Sequence, residues 1–261
     1  MDNKEKVIDA YASGNEIHRA EEAGQYGMEF INTKKILDNY ILDNKRVIEI
    51  GCGGGYYGLH YAKSCREYVG IDLSSANISV FRNLIREHGF DNVKAEVGDA
   101  TDLFNIEDDS YDVVLCLGPM YHLNPQGRAR CMAECARICK PGGIIAVAFI
   151  NKTGVIAKFA PILGWENVMT PKIDEYVLTE GIDDVRPDVF FYAMPEEMMT
   201  EAKKVGLTYE RLAGLDFLLS DEVIEQFSEE QRKVWFHFSD LVVNSEYCAG
   251  LSNHAILVCR K

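Results

Sequence analysis

Short apolar runs alternate with stretches of helical period along most of the chain. Val47-Ile48-Glu49-Ile50, Tyr68-Val69-Gly70-Ile71 and Ile144-Ile145-Ala146-Val147-Ala148-Phe149-Ile150 are apolar almost throughout, as strands buried on both faces require. Val93-Lys94-Ala95-Glu96-Val97 alternates, which predicts a strand with one polar face, and Tyr111–Leu117 is a further apolar strand. Helices are predicted between them over Tyr57–Ser64, Ala76–His88 and Gln126–Cys139. Ser74-Ser75 offers an N-cap to the second, Gly89 stops it, and Lys140-Pro141-Gly142-Gly143 ends the third. This alternation predicts an α/β fold with a doubly wound, mostly parallel sheet and helices on both faces.

The rhythm changes at both ends. Residues 4–12 and 16–40 read as helices broken at Gly14-Asn15, so 1–44 form a predicted helical cap ahead of a core at 45–151. Residues 152–193 carry Pro161, Pro171 and Pro187 among Phe159, Trp165, Tyr176, Phe190, Phe191 and Tyr192. This insertion after the fifth strand reads equally as a lid with an acceptor pocket or as a subdomain with its own small core. Residues 194–261 return to the core sheet. A helix starts at Met194-Pro195, a sixth strand covers Leu207–Phe217, and a long amphipathic helix over 221–245 sets Val234, Phe238, Leu241 and Val242 on one side. A final strand follows at His254–Cys259. Two late strands joined by a helix predict an antiparallel final strand and a sheet of seven.

The candidate chemistry lies at the ends of these strands. Gly51-Cys52-Gly53-Gly54-Gly55 joins the first strand to a helix, an arrangement that brings backbone N–H groups to a nucleotide-type ligand. Two patterns overlap there. Gly53-x-Gly55-x-x-Gly58 fits a dinucleotide fingerprint. Glu49-x-Gly51-x-Gly53-x-Gly55 places an acid two residues before the first glycine, which suits a ligand with a positively charged amine better than a pyrophosphate. Asp72 ends the second strand, where a carboxylate can accept both ribose hydroxyls of an adenosine. Asp99, in Gly98-Asp99-Ala100, either accepts from an adenine amino group or caps the turn that follows. Gly118-Pro119-Met120-Tyr121-His122-Leu123 follows the fourth strand at the switch point, which makes Tyr121 and His122 the candidates for acting on a substrate. Tyr11 and Arg19 belong to a leading segment that can fold over the crevice, and with Trp165 they are candidate acceptor contacts.

Composition narrows the partners. A formal net charge of −14 argues against a nucleic-acid substrate. No stretch of 18 apolar residues is present, so no membrane span is expected, and the charged Met1–Lys6 start lacks the apolar run of a secretory signal. Eight cysteines without a C-x-x-C pair read as reduced thiols in a cytoplasm. Cys131, Cys135 and Cys139 fall on one helical face. A thiolate site for a metal or for arsenic is the specific reading, but no fourth ligand stands at metal-like spacing, so packing on the sheet is expected and no metal site is assigned.

The assembled pattern resembles the seven-stranded, Rossmann-like class I methyltransferases that depend on S-adenosylmethionine (SAM), and within them a branch acting on small molecules. The likeness runs from Lys45 to Ile150 and more loosely over the last two strands. Leu117-Gly118-Pro119-Met120-Tyr121-His122-Leu123, Ser252-Asn253-His254-Ala255-Ile256-Leu257 and Glu16-x-x-Arg19 with Glu29-Phe30 are similar to that branch. The resemblance implies SAM as cofactor, S-adenosylhomocysteine as product, and methyl transfer by in-line displacement to a small acceptor, aromatic or lipophilic. It implies that Glu49, Gly51, Cys52 and Gly53 surround the methionine part, that Asp72 holds the ribose with Leu73 against the adenine, and that Asp99 and Ala100 read the adenine edge. The backbone near Leu117 and Gly118 would meet the methionine amine. No Asn/Asp-Pro-Pro-Tyr/Phe loop is present, which weighs against DNA bases or protein amides as acceptors. A nicotinamide-dependent oxidoreductase and a non-catalytic SAM-binding protein are the alternatives, and a monomer and a homodimer are equally compatible.

Overall fold

The computed structural model describes residues 3–11, 27–187, 189–219 and 221–261. Seven strands form one sheet: β1 (Arg46–Ile50), β2 (Glu67–Asp72), β3 (Val93–Val97), β4 (Tyr111–Cys116), β5 (Cys139–Ile150), β6 (Thr208–Gly214) and β7 (His254–Arg260). Their spatial order is β3-β2-β1-β4-β5-β7-β6. The first five strands are parallel, and β7 runs antiparallel between β5 and β6. The sequence therefore placed the strands and the antiparallel ending correctly. β6 is shorter than expected: Leu215 and Asp216 leave the ladder, and Asp216 turns into a polar cluster with His254.

Helices cover both faces. They are α1 (Asn3–Tyr11), α2 (Met28–Leu37), α3 (Tyr56–Tyr61), α4 (Ser75–His88), α5 (Pro125–Ile138), α6 (Lys152–Leu163), α7 (Pro195–Lys204) and α8 (Glu229–Val243). Ser74 caps α4 by accepting from the Asn77 N–H, and Gly89 closes it in a left-handed conformation. Alternate residues of the strands feed two cores. Val47, Val113 and Leu115 pack with Phe81, Tyr68 and Trp235, whereas Ile48, Ile50, Val114 and Cys116 pack with Met132, Cys135 and Met198. β3 lies at the sheet edge with Lys94 and Glu96 exposed, as its alternation predicts.

Two helical expectations need correction. The helix expected over 221–245 is two, Asp221–Glu225 and α8, because Ser228 starts a new capping box with Gln231. Its buried stripe is Trp235, Ser239, Val242 and Val243, while Val234 and Leu241 point outward at 71% and 62% exposure. Reading only aliphatic residues rotated the buried face, since Trp235 anchors it against Phe227 and Phe238. Of the helix expected over 16–40, the described part is α2, which Gly27 precedes.

The switch point falls between β1 and β4. Ile50 lies opposite both Ile71 and Cys116, so β1, β2 and β4 end level and their following loops converge. The insertion after β5 leaves through α6, which packs so tightly that a Cβ on Gly154 would stand 1.8 Å from the Ser252 carbonyl oxygen. It returns along residues 189–193, where Phe191 N–H donates to the Tyr121 carbonyl at 2.7 Å and Ala193 N–H to Ile150 at 2.9 Å.

Candidate active site

A crevice opens where the three loops meet. Gly51 and Cys52 donate their N–H groups to the Ile71 carbonyl at 2.7 and 3.0 Å, which binds the glycine turn to the end of β2. Gly51 has φ +78°, and a Cβ there would lie 2.4 Å from Pro119 Cδ, so only glycine lets the β1 and β4 loops touch. Gly53 instead faces open space, with nothing within 4 Å of a Cβ position. That is the cradle a ligand pressed on the backbone requires. Gly55 and Gly58 have another purpose: Phe81 fills the space beside both, at 2.0 and 2.4 Å from their Cβ positions. The Gly53-x-Gly55-x-x-Gly58 pattern is thus largely a packing pattern for α4.

Glu49 forms part of the crevice lining and is 1% exposed. The Tyr68 hydroxyl donates to its carboxylate at 2.7 Å. Burial outweighs that bond and pushes the Glu49 carboxyl up to about 8, with Asp72 adding to the shift. Asp72 ties the site together: Oδ2 accepts from Gly53 N–H at 2.9 Å, and Oδ1 from Ser74 N–H at 2.8 Å and Asn77 Nδ2 at 3.2 Å. Burial still raises it above the ordinary carboxylate value. Two acids whose ionisation burial disfavours suit a ligand that brings positive charge.

Asp99 has two partners. Its Oδ1 accepts from the Thr101 N–H and hydroxyl, both at 2.8 Å, so it caps the turn, and its Oδ2 pairs with Lys4 of α1. Burial opposes its ionisation, but Lys4 and Thr101 together hold it below the usual range. Leu73, Ala100, Leu117 and Gly118 line the same crevice, as do Cys52 and the candidate pair Tyr121 and His122.

The β4 loop aims that pair. The Tyr121 hydroxyl donates to Glu29 Oε1 at 3.4 Å, and its ring lies 5.5 Å from the His254 ring. His122 Nδ1 is 2.8 Å from the Val189 carbonyl oxygen. A carbonyl only accepts, so Nδ1 carries the hydrogen and Nε2 is the basic nitrogen of the neutral ring. The Phe190 ring lies tilted beside it, with centroids 5.1 Å apart.

One candidate is not brought to the crevice, and the side chains of two others fall outside the described residues. Trp165 is 55% exposed on a short helix of the insertion and does not line the crevice; the insertion meets the β4 loop instead through Val155, Ile156 and Val177, which pack with Tyr121, and through its return segment. Arg19 lies outside the described residues, and Tyr11 closes α1 with its side chain outside the description. The cysteine face is also rearranged: Cys116 joins Cys131 and Cys135, whereas Cys139 opens β5 with its sulfur near the Lys140 and Ile144 carbonyls. Sequence reasoning gave no role to Lys4, Tyr56, Tyr57 or Asn77, all in the lining, nor to the Asp216–His254 pair at 3.0 Å behind Tyr121. Asp216 and His254 are brought together only by the β6–β7 pairing, so no local pattern announces them.

The methyltransferase domain family matches residues 47–143. A ubiquinone biosynthesis O-methyltransferase of Pasteurella multocida is 30% identical over 193 residues, covering 69% of this chain and 76% of that protein. The enzyme of that name from Acinetobacter baumannii (strain AYE) is 28% identical over 176 residues, covering 67% and 69%. Among solved structures, a SAM-dependent methyltransferase, possible histamine N-methyltransferase, from Thermotoga maritima shares the fold with a TM-score of 0.59 at 18% identity, covering 99% and 98%. The chain belongs to the class I SAM-dependent methyltransferases. Its cofactor is S-adenosylmethionine, and the nicotinamide alternative is set aside.

Proposed function

We propose that this methyltransferase moves the methyl group of SAM to a small-molecule acceptor by in-line displacement, with the acceptor bound beside Tyr121 and His122. The observation that carries the reading is the His122–Val189 hydrogen bond, which puts the hydrogen on Nδ1 and so makes Nε2 the nitrogen that can take a proton when the ring is neutral. The relatives are, by name, O-methyltransferases of ubiquinone biosynthesis, and a phenolic, lipophilic acceptor is the reading we adopt.

SAM supplies a methyl group already activated on a sulfonium, so alignment and the exclusion of water are what the chain must provide. Glu49 meets the methionine amine with the Leu117–Gly118 backbone, and Gly51, Cys52 and Gly53 wrap the amino-acid part. The open Cβ side of Gly53 and the buried acid, which no cation partners among the described residues, both support this fit. Asp72 takes the ribose, Leu73 the adenine face, and Asp99 with Ala100 the adenine edge. Tyr121 orients the acceptor hydroxyl and His122 takes its proton. Residues 1–44 act as a cap, supported by the Lys4–Asp99 pair, and 152–193 act as a support for the acceptor side through Val189.

The test is transfer of radiolabelled methyl from SAM to a panel of catechols, monophenols and aromatic amines. Turnover confined to phenols, with Y121F and H122A each at least tenfold slower, is the expected result. Full turnover by both variants would remove the base assignment. Turnover of amines alone would remove the phenolic acceptor.

A further inference from the structure

On the sheet face turned toward α5, away from Glu49, three sulfurs converge. Cys116 is the last residue of β4, and Cys131 and Cys135 stand one turn apart on α5. Cys116 Sγ is 3.6 Å from Cys131 Sγ, and the three sulfurs all lie within 4.8 Å of one another. Three sulfurs sharing one ion at about 2.3 Å would stand about 4 Å apart, so the side chains need little movement to close on it. All three residues are 0% exposed, among Ile48, Ile50, Val114 and Met132.

Charge decides which ion fits. The three form the one such ligand group among the described residues, with no His, Asp or Glu in it. Three thiolates leave a net charge of −1 on a divalent ion and −2 on a monovalent one, and a dry apolar core penalises either. A trivalent ion leaves none. Soft thiolates select thiophilic elements, and zinc in a structural site asks for a fourth ligand that this group lacks.

We propose that Cys116, Cys131 and Cys135 form a binding site for a trivalent thiophilic metalloid, taken up as its uncharged trihydroxide, of the arsenite or antimonite class. Each thiol proton leaves with one hydroxide as water, so one trihydroxide and three thiols give one three-thiolate complex and three waters. No oxidation state changes. An uncharged species also enters an apolar core without shedding the hydration of an ion. The site is independent of the assignment of the crevice.

Reduced protein, held free of oxygen, is titrated with sodium arsenite, and the arsenic X-ray absorption of the wild-type complex is recorded. The expected result is one arsenic per chain with three sulfur neighbours and no oxygen. C116S, C131S and C135S should each weaken binding roughly tenfold or more, while C139S leaves it unchanged. S-adenosylhomocysteine binding serves as the check that each variant is folded, and the wild-type spectrum stands whether or not they are. No saturable binding, two-sulfur coordination, undiminished binding by a folded C131S, or a preference for zinc over arsenite would each overturn the proposal.

Discussion

The Tyr68 hydroxyl donates to the Glu49 carboxylate at 2.7 Å beneath the glycine turn, and no cation partners that acid among the described hydrogen bonds and ion pairs. Burial therefore governs it and pushes it up to about 8. Between the ordinary glutamate value, about 4.3, and about 8, the folded chain holds a proton there that the unfolded chain has released. Glu49 on its own makes the fold less stable as pH rises through that window. A ligand ammonium reverses this, since it supplies the charge that burial denies.

The Glu49→Gln variant keeps an acceptor for Tyr68 but loses the carboxylate. We expect it to bind SAM and S-adenosylhomocysteine about 10- to 100-fold more weakly, the range of a lost charge-assisted hydrogen bond of about 1.5–3 kcal/mol. It should melt no lower than wild type at pH 7. Calorimetry and thermal unfolding together check this; unaltered affinity would remove Glu49 from the cofactor site.

Two glycines two positions apart should respond in opposite ways. Gly55→Ala drives a methyl into Phe81 at φ +91° and is expected to cost about 2–4 kcal/mol of stability, from overpacking and left-handed strain together. Gly53→Ala meets no protein atom, so its stability cost is only the roughly 1–2 kcal/mol of its backbone conformation. Its larger effect should be on cofactor affinity. Denaturant midpoints and SAM titrations of the two variants separate these effects.

Asp216 accepts from His254 Nδ1 at 3.0 Å, the His254 N–H at 2.7 Å and Lys158 at 2.8 Å. Burial opposes its charge, but His254 first and then Lys158 overcome this and hold it well below the carboxylate range. A depressed acid stabilises the fold above its unfolded value, about 3.9, and that contribution is lost as pH falls below it. Asp216→Asn removes the buried carboxylate that His254 and Lys158 share, and about 3–5 kcal/mol should be lost at pH 7. The wild-type advantage over D216N should shrink on acidification toward pH 3, which urea unfolding across pH measures.

The β-strands and the glycine turn were legible because burial on two faces and positive φ leave few residue choices. Ile48 and Ile50 had to be apolar, and Gly51 had to be glycine once Pro119 touched it. The side of the crevice that we propose for the cofactor was legible as lining, because Glu49, Asp72, Asp99 and Gly118 all sit at or just beyond strand ends fixed by register. On the side proposed for the acceptor, only Tyr121 and His122 were legible as lining. Trp165 misled because an aromatic residue in an insertion carries no local sign of which way it faces. Glu29, Val189, Asp216 and His254 meet that side through long-range packing, and the meeting of Cys116 with α5 depends on a strand–helix contact that i, i+4 spacing within α5 does not contain.

Proton counting on ligand binding tests the central claim most directly. S-adenosylhomocysteine is titrated into wild-type protein at pH 7 in phosphate and in Tris, whose heats of ionisation differ. If Glu49 is protonated before the ligand binds and ionises against the ligand amine, about one proton per site is released, and the observed heats differ accordingly. The release should fade by pH 9 and be absent in E49Q. Binding with equal heats in the two buffers at pH 7 would contradict the account, since the ligand would then be held without ionising the acid at the centre of the site.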